Sequence, residues 1–289
     1  MAKLSYRQKV LLKKYSCKII AILVIVIIAA IVLFPFIWMI PSALKDRSEI
    51  WSIPPKWLPT KAAWDNFKVI TKPDINGGYF YRSLFVTMFV AVTATFINMV
   101  INMIAAYGFA RHEFKFKKAI WVVFLLTMFV PGITVQITSI QVVTKLGLTN
   151  SLWVLILPTA ANAYTIFFFR QYFLGIPDAI EEAAEIDGAS RVQIFTKIFL
   201  PMSKTPLIIS AFGCFVGHWN SYIWPTLTIT ENQDKYRQIM QYVYMLNTTD
   251  VREYGQVIAA TLIVMSVPII LFAIFQKQIV EGITLTGQK

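Results

Sequence analysis

The chain has 289 residues, of which 57% are hydrophobic and only 15% charged, with a mean hydropathy of +0.61 and a formal net charge of +12. This is not the composition of a soluble globular domain, and it excludes a hydrophilic disordered chain as well. The basic excess reads as a membrane-topology signal more than as a nucleic-acid footprint, because Lys and Arg gather between apolar stretches, so no nucleic-acid partner is expected.

In chain order, a basic tail (residues 1–18) with Lys3, Arg7, Lys9, Lys13, Lys14 and Lys18 precedes the first uncharged window, which runs from Ile19 up to Lys45. That apolar run is too long for a signal-peptide core, and no small-residue cleavage site follows, so an uncut first helix is expected. Five more windows lack Asp, Glu, Lys and Arg: Ser83 to Ala110, Ala119 to Thr144, Leu146 to Phe169, Thr205 to Thr230 and Tyr254 to Gln276. Each meets the roughly 20 residues a membrane helix needs. The expected fold is therefore an all-α integral membrane protein with six transmembrane helices in residues 19–276. Loops at 42–82 and 231–253 would face outward, and a loop at 170–204 and a tail at 277–289 would face the cytoplasm. An even helix count puts both termini on one face, together with Arg111, Lys115, Lys117, Lys118, Arg170, Arg191, Lys197 and Lys204. The positive-inside rule makes that face cytoplasmic.

Nothing in the chain resembles an active site. Cys17 sits just before the first window and Cys214 inside the fifth, so the two are not expected to pair, and neither has neighbours at metal-ligand spacing. There is no glycine-rich phosphate loop and no nucleophile triad, so neither a catalytic residue nor a metal or other cofactor is expected in this chain. The windows also lack any carboxylate, and their one ionisable side chain is His218. A proton relay normally runs through intramembrane carboxylates, so energy for uphill movement would have to enter from outside the membrane.

The segment Glu181 to Pro201, EEAAEIDGASRVQIFTKIFLP, is where it would enter. Asp178 reads as an N-cap with Glu181 as its capping-box partner, and Asp178, Glu181 and Glu182 suit the positive end of a helix dipole. Gly188 reads as the left-handed stop. Ser190 and Gln193 repeat the box and start a second helix that ends at Leu200 and Pro201. The result is a helix-turn-helix on the cytoplasmic surface, with Ala183 and Ala184 small enough beside Glu182 for another protein to approach.

These residues resemble a known family. Glu182-Ala183-Ala184, Gly188, Ile198 and Leu200-Pro201 match the EAA signature of bacterial ABC importer permeases at every signature position. Arg170-Gln171-Tyr172-Phe173, Ile176-Pro177, Ile186-Asp187-Gly188-Ala189, Trp219-Asn220, Trp224-Pro225 and the tail from Gln276 to Thr284 are similar to the carbohydrate-uptake, MalG-like branch. The resemblance implies a permease of the bacterial cytoplasmic (inner) membrane, one half of a pore completed by a second homologous permease. Dimeric cytoplasmic ATPase subunits would bind the ATP and Mg, and an extracytoplasmic sugar-binding protein would deliver solute. It further implies that Glu181, Glu182, Ala183, Ala184, Asp187, Gly188, Arg191, Leu200 and Pro201 form the ATPase-coupling segment, with Glu182 as the ion-pair partner. Gln278, Glu281, Gly282 and Thr284 would add a C-terminal ATPase contact.

Sugars need amide and hydroxyl partners and aromatic faces. Asn98 and Asn102, four residues apart on one helix face, with Gln136, Gln141, Asn162, Tyr164, Trp219 and Asn220, are candidates for the solute path. The same amides also serve as glue between membrane helices, and the residues alone leave both readings open. In the outer loop, Lys45, Arg47, Lys56, Lys61, Lys68, Lys72 and Arg82 outnumber the acids Asp46, Glu49, Asp65 and Asp74. With Trp51, Trp57 and Trp64 they fit either attraction of an acidic saccharide or binding protein, or a tryptophan belt in contact with membrane lipid. A permease for amino acids or peptides and a non-transporting scaffold remain the rival classes.

Overall fold

The structure is a computed structural model that describes residues 6–71, 79–249 and 254–286, with side chains from 15 to 71, 79 to 247 and 254 to 280. All regular structure among the described residues is helical. The chain separates into two compact units, residues 1–69 with 250–262, and residues 70–249 with 263–289.

The first unit is built on α1 (Tyr6–Ala43), whose side chains are exposed throughout residues 15–37. A helix apolar on every face belongs in lipid or against another chain. The segment after it is folded, with a short α2 (Arg47–Ile50) and the start of α3 (Asp65–Thr71). Asn66 Nδ2 donates to the Ala43 carbonyl at 2.9 Å and the Lys45 carbonyl at 3.0 Å, satisfying acceptors that α1 leaves open at its end. Gly255 permits this, since a Cβ there would collide with the Asn66 side chain.

One sequence expectation is corrected in this unit. Lys45 is not a surface charge: it is 2% exposed, its ammonium lies 4.2 Å from the Trp38 ring centre, and it donates to the Lys56 carbonyl. Burial pushes its pKa down, and Glu49 only partly offsets this. Glu49 is itself spent on the Thr60 N–H at 3.0 Å and on Lys56 at 3.5 Å. The net basic surface of this loop is therefore smaller than its composition implies. Lys72 and Asp74 lie outside the described residues.

The second unit is organised around α4 (Tyr79–Arg111), an unbroken helix packed against the later helices Ala163–Leu174 and Lys204–Trp219. Its buried face carries Val90, Ala94, Asn98, Asn102 and Ala106 at four-residue spacing, and these small and amide side chains let neighbouring backbones come close. Helix α5 (Lys117–Thr127) then meets α6 (Gly132–Lys145) at 104°. Helix α7 (Leu152–Ile156) and a 3-10 turn (Leu157–Thr159) meet α8 (Ala163–Leu174) at 42°. The acidic segment follows as α9 (Asp178–Ile186) and α10 (Arg191–Ile194), which runs through a π turn (Phe195–Phe199) into α11 (Leu200–Met202). Helix α12 (Lys204–Trp219) leaves this run at 79°. Short α13 (Ile223–Thr228) and α14 (Gln233–Tyr236) lead to α15 (Ile239–Thr249), and α16 (Tyr254–Thr286) closes the chain.

The six apolar windows are thus not six straight helices. Among the described residues three helices are individually long and apolar enough to cross a membrane, Tyr15–Ala43, Tyr79–Arg111 and Tyr254–Val280, and the number reaches at most six if each bent pair counts as one span. The breaks have local causes. Pro131 precedes α6 and Pro158 opens the 3-10 turn. Leu200-Pro201 is also not the helix stop expected from sequence. The Leu200 N–H reaches back five residues to the Phe195 carbonyl, and this widened turn accommodates Pro201 so that the break falls later, at Ser203.

Candidate functional site

The acidic segment is fastened from below before it offers anything to a partner. Arg111, the last residue of α4, pairs with Asp178, lies 3.6 Å from Glu181, and donates to the carbonyls of Phe173, at 2.6 Å, and Ile176. One guanidinium therefore ties the end of α4 to the end of α8 and the start of α9. Glu181 is buried at 8% exposure, accepts from the Tyr107 hydroxyl at 3.2 Å, and pairs with Arg191 at 3.2 Å. Arg191 also reaches Glu185 at 2.9 Å. Beneath this network, Phe173, Ile194 and Phe199 are fully buried against Met103, Ala106 and Tyr107.

This geometry corrects the local capping assignment. The N-cap position of α9 is Pro177, and neither Asp178 nor Glu181 caps a backbone N–H, because the cation of a distant helix end takes both carboxylates. The other two local readings hold. Gly188 takes φ +77°, the left-handed turn that favours glycine, and the Ser190–Gln193 capping box is present in both directions.

With Asp178, Glu181, Glu185 and Arg191 satisfied internally, the outward edge consists of Glu182, Ala183, Ile186, Asp187 and Gly188, all exposed. Glu182 and Ile186 stand one turn apart on α9. Ala184 instead is half-buried against the core, so only one of the two alanines faces out. Ile186 and Val192, 85% and 70% exposed, flank the turn as an apolar pair beside the free acid Glu182. Their sequence signal was an aliphatic residue on each side of the glycine stop. Leu200 is half-buried in the same core and Pro201 is exposed. At the other end, Gln278 lies near the end of α16, while the side chains of Glu281, Gly282 and Thr284 lie outside the described part of the chain.

The second feature is a cavity of about 800 Å³ bordered by α4, α6, the 3-10 turn, α8 and α12. It brings together four of the predicted path residues, Asn98, Gln136, Asn162 and Tyr164. The other four are elsewhere. Asn102 is fully buried and works as helix glue: it donates to Ala160 at 3.0 Å and to the Asn98 carbonyl at 2.6 Å, and accepts from the Asn162 N–H at 2.8 Å. Trp219 is buried and stacked on Phe215, Asn220 is exposed at the end of α12, and Gln141 is exposed outside the cavity. Asn98 does both jobs, donating to the Thr159 carbonyl at 2.7 Å while bordering the cavity.

The wall from α12 was missed at the sequence level. Ser210, Gly213, Cys214 and Gly217 recur at helical spacing on one face and open the cavity by leaving out bulk. His218 lies beside them. A separate cavity of about 700 Å³ between α4, α12 and α16 is lined almost throughout by Met, Phe, Leu, Ile and Val side chains and offers a polar solute no partner.

Residues 99–284 match the family model described as the binding-protein-dependent transport system inner membrane component. The chain belongs to that family. It is 29% identical over 254 residues to the lactose transport system permease protein LacG of Rhizobium radiobacter, covering 86% of this chain and 89% of the relative. It is also 29% identical over 274 residues to the polygalacturonan/rhamnogalacturonan transport system permease protein YtcP of Bacillus subtilis, covering 90% and 94%. Its fold matches a chain of a crystallised bacterial ABC transporter involved in the import of the acidic polysaccharide alginate. That match has a TM-score of 0.76 and 21% identity, and covers 96% of this chain and 99% of the other. The family member described here is accordingly a membrane-embedded permease subunit and not an enzyme.

Proposed function

We propose that this permease forms half of the translocation pore of an ATP-driven, binding-protein-dependent saccharide importer, and that the turn around Gly188 is its coupling element. In this reading α5 with α6, α7 with α8, and α12 with α13 each form one bent span, giving six with α1, α4 and α16, and the termini share the cytoplasmic face with Arg111 and the segment from α9 to α11. A second homologous permease completes the pore, a cytoplasmic ATPase dimer holds ATP and Mg, and an extracytoplasmic binding protein delivers solute. The names of the lactose and polygalacturonan relatives support a saccharide as cargo.

The observation that carries the proposal is the Arg111 junction. A rigid-body push at Glu182 and Ile186 moves α9, and α9 is bonded through Asp178, Glu181 and Arg111 to the ends of α4 and α8. Those same two helices hold the cavity wall through Asn98, Asn102 and Asn162. Packed interfaces shift between discrete arrangements more readily than they deform, so motion at the turn re-sets the cavity. Gln278, Glu281, Gly282 and Thr284 are the proposed second ATPase contact.

A cysteine at Ile186 tests the assignment. In the assembled transporter it is expected to cross-link to the ATPase subunit and to react with a membrane-impermeant thiol reagent only from the cytoplasmic side. Reaction only from the outer side, with no cross-link, would contradict both orientation and role.

A further inference from the structure

The polar cavity carries no formal charge. Among the described residues lining it there is no Lys, Arg, Asp or Glu, and its ionisable side chains are His218, Tyr164 and Cys214. What it does present is hydrogen-bonding capacity left unused within the chain. Gln136 and Ser139 on α6 face a wall formed by Ser210 and His218 on α12 and by Ser221. None of these five side chains makes a hydrogen bond to another described residue. Tyr164, 67% exposed, supplies an aromatic face at the same cavity.

Amide, hydroxyl and imidazole groups both donate and accept, and so do sugar hydroxyls. A carboxylate only accepts, and on leaving water it needs a cation that this wall does not provide. We infer that the solute admitted by this cavity is an uncharged saccharide and that uronates are discriminated against. The inference rests on the saccharide-importer reading above and narrows it to one chemical class. It also sets the site apart from the substrates named for the alginate and polygalacturonan systems.

The test uses the complete transporter, this permease with its second permease, ATPase and binding protein, in proteoliposomes. Uptake is measured for matched oligosaccharides that differ only in bearing hydroxymethyl or carboxylate groups, such as galacto-oligosaccharides against oligogalacturonates of equal length. The neutral member is expected to enter at least about tenfold faster, and Gln136→Lys or Ser210→Lys is expected to raise the uronate share by about tenfold. Uronate uptake equal to or faster than that of its neutral partner in the wild type overturns the inference, whether or not the lysine variants fold. Uptake of neither sugar, with an amino acid or peptide carried instead, would overturn the saccharide reading itself and this inference with it.

Discussion

Replacing Glu182 by Lys is expected to abolish solute-stimulated ATP hydrolysis while the permease still folds and inserts. Glu182 is exposed, and the acids around it are taken up by Arg111 and Arg191, so the substitution disturbs no contact among the described residues. The proposed coupling role pairs Glu182 with a basic residue of the ATPase, and there the reversal would put like charges face to face, at a cost on the order of several kcal/mol. Gly188→Val attacks the same turn by another route. There is open space for a Cβ, but φ +77° costs an L-residue about 1–2 kcal/mol, and a β-branched side chain suits it worst. Both variants should lose stimulation in reconstituted vesicles while retaining normal membrane levels. Full stimulation in both would remove the coupling role from this turn.

The neighbouring residue is expected to behave in the opposite way. Glu181→Ala leaves Arg111, whose side chain is 6% exposed, with Asp178 as its one remaining acid, and leaves the buried Tyr107 hydroxyl without its acceptor. Breaking a buried ion pair by removing one partner costs about 3 kcal/mol or more. Glu181→Ala should therefore lower the unfolding free energy of the purified assembly, whereas Glu182→Ala should change it by no more than about 0.5 kcal/mol. Equal stability of the two variants in denaturant or thermal unfolding would mean that the Arg111 junction does not hold α9 in place.

The contrast between these adjacent glutamates shows what the sequence makes legible. Gly188 and the Ser190–Gln193 box depend on neighbours within a few residues, and the structure reproduces both. Glu181 depends on Tyr107 and Arg111 in another helix, 74 residues from Tyr107 along the chain, so local capping rules assigned it to the wrong partner. Lys45 failed in the same manner, since its burial is set by Trp38 and Lys56 and not by its place at the edge of an apolar window. The apolar windows marked where long apolar helices and bent helix pairs lie, because hydropathy is a property of composition alone. Their bends were only half visible, through Pro131 and Pro158, because proline marks where a helix breaks without giving the angle. In the cavity, amides were readable as polar but not as path or glue. That distinction depends on whether a backbone group of another helix lies within reach, as it does for Asn102 and does not for Gln136.

The central claim is that movement at the Gly188 turn reaches the cavity wall. The most direct measurement is the reaction rate of a single cysteine at Gln136 with a small polar thiol reagent, in the assembled transporter, with and without trapped ATP. The rate is predicted to change between the two nucleotide states and to become insensitive to nucleotide when Glu182→Lys is added. A Gln136→Cys labelling rate that is the same in both states, or one that still responds to ATP in the Glu182→Lys background, would contradict the account.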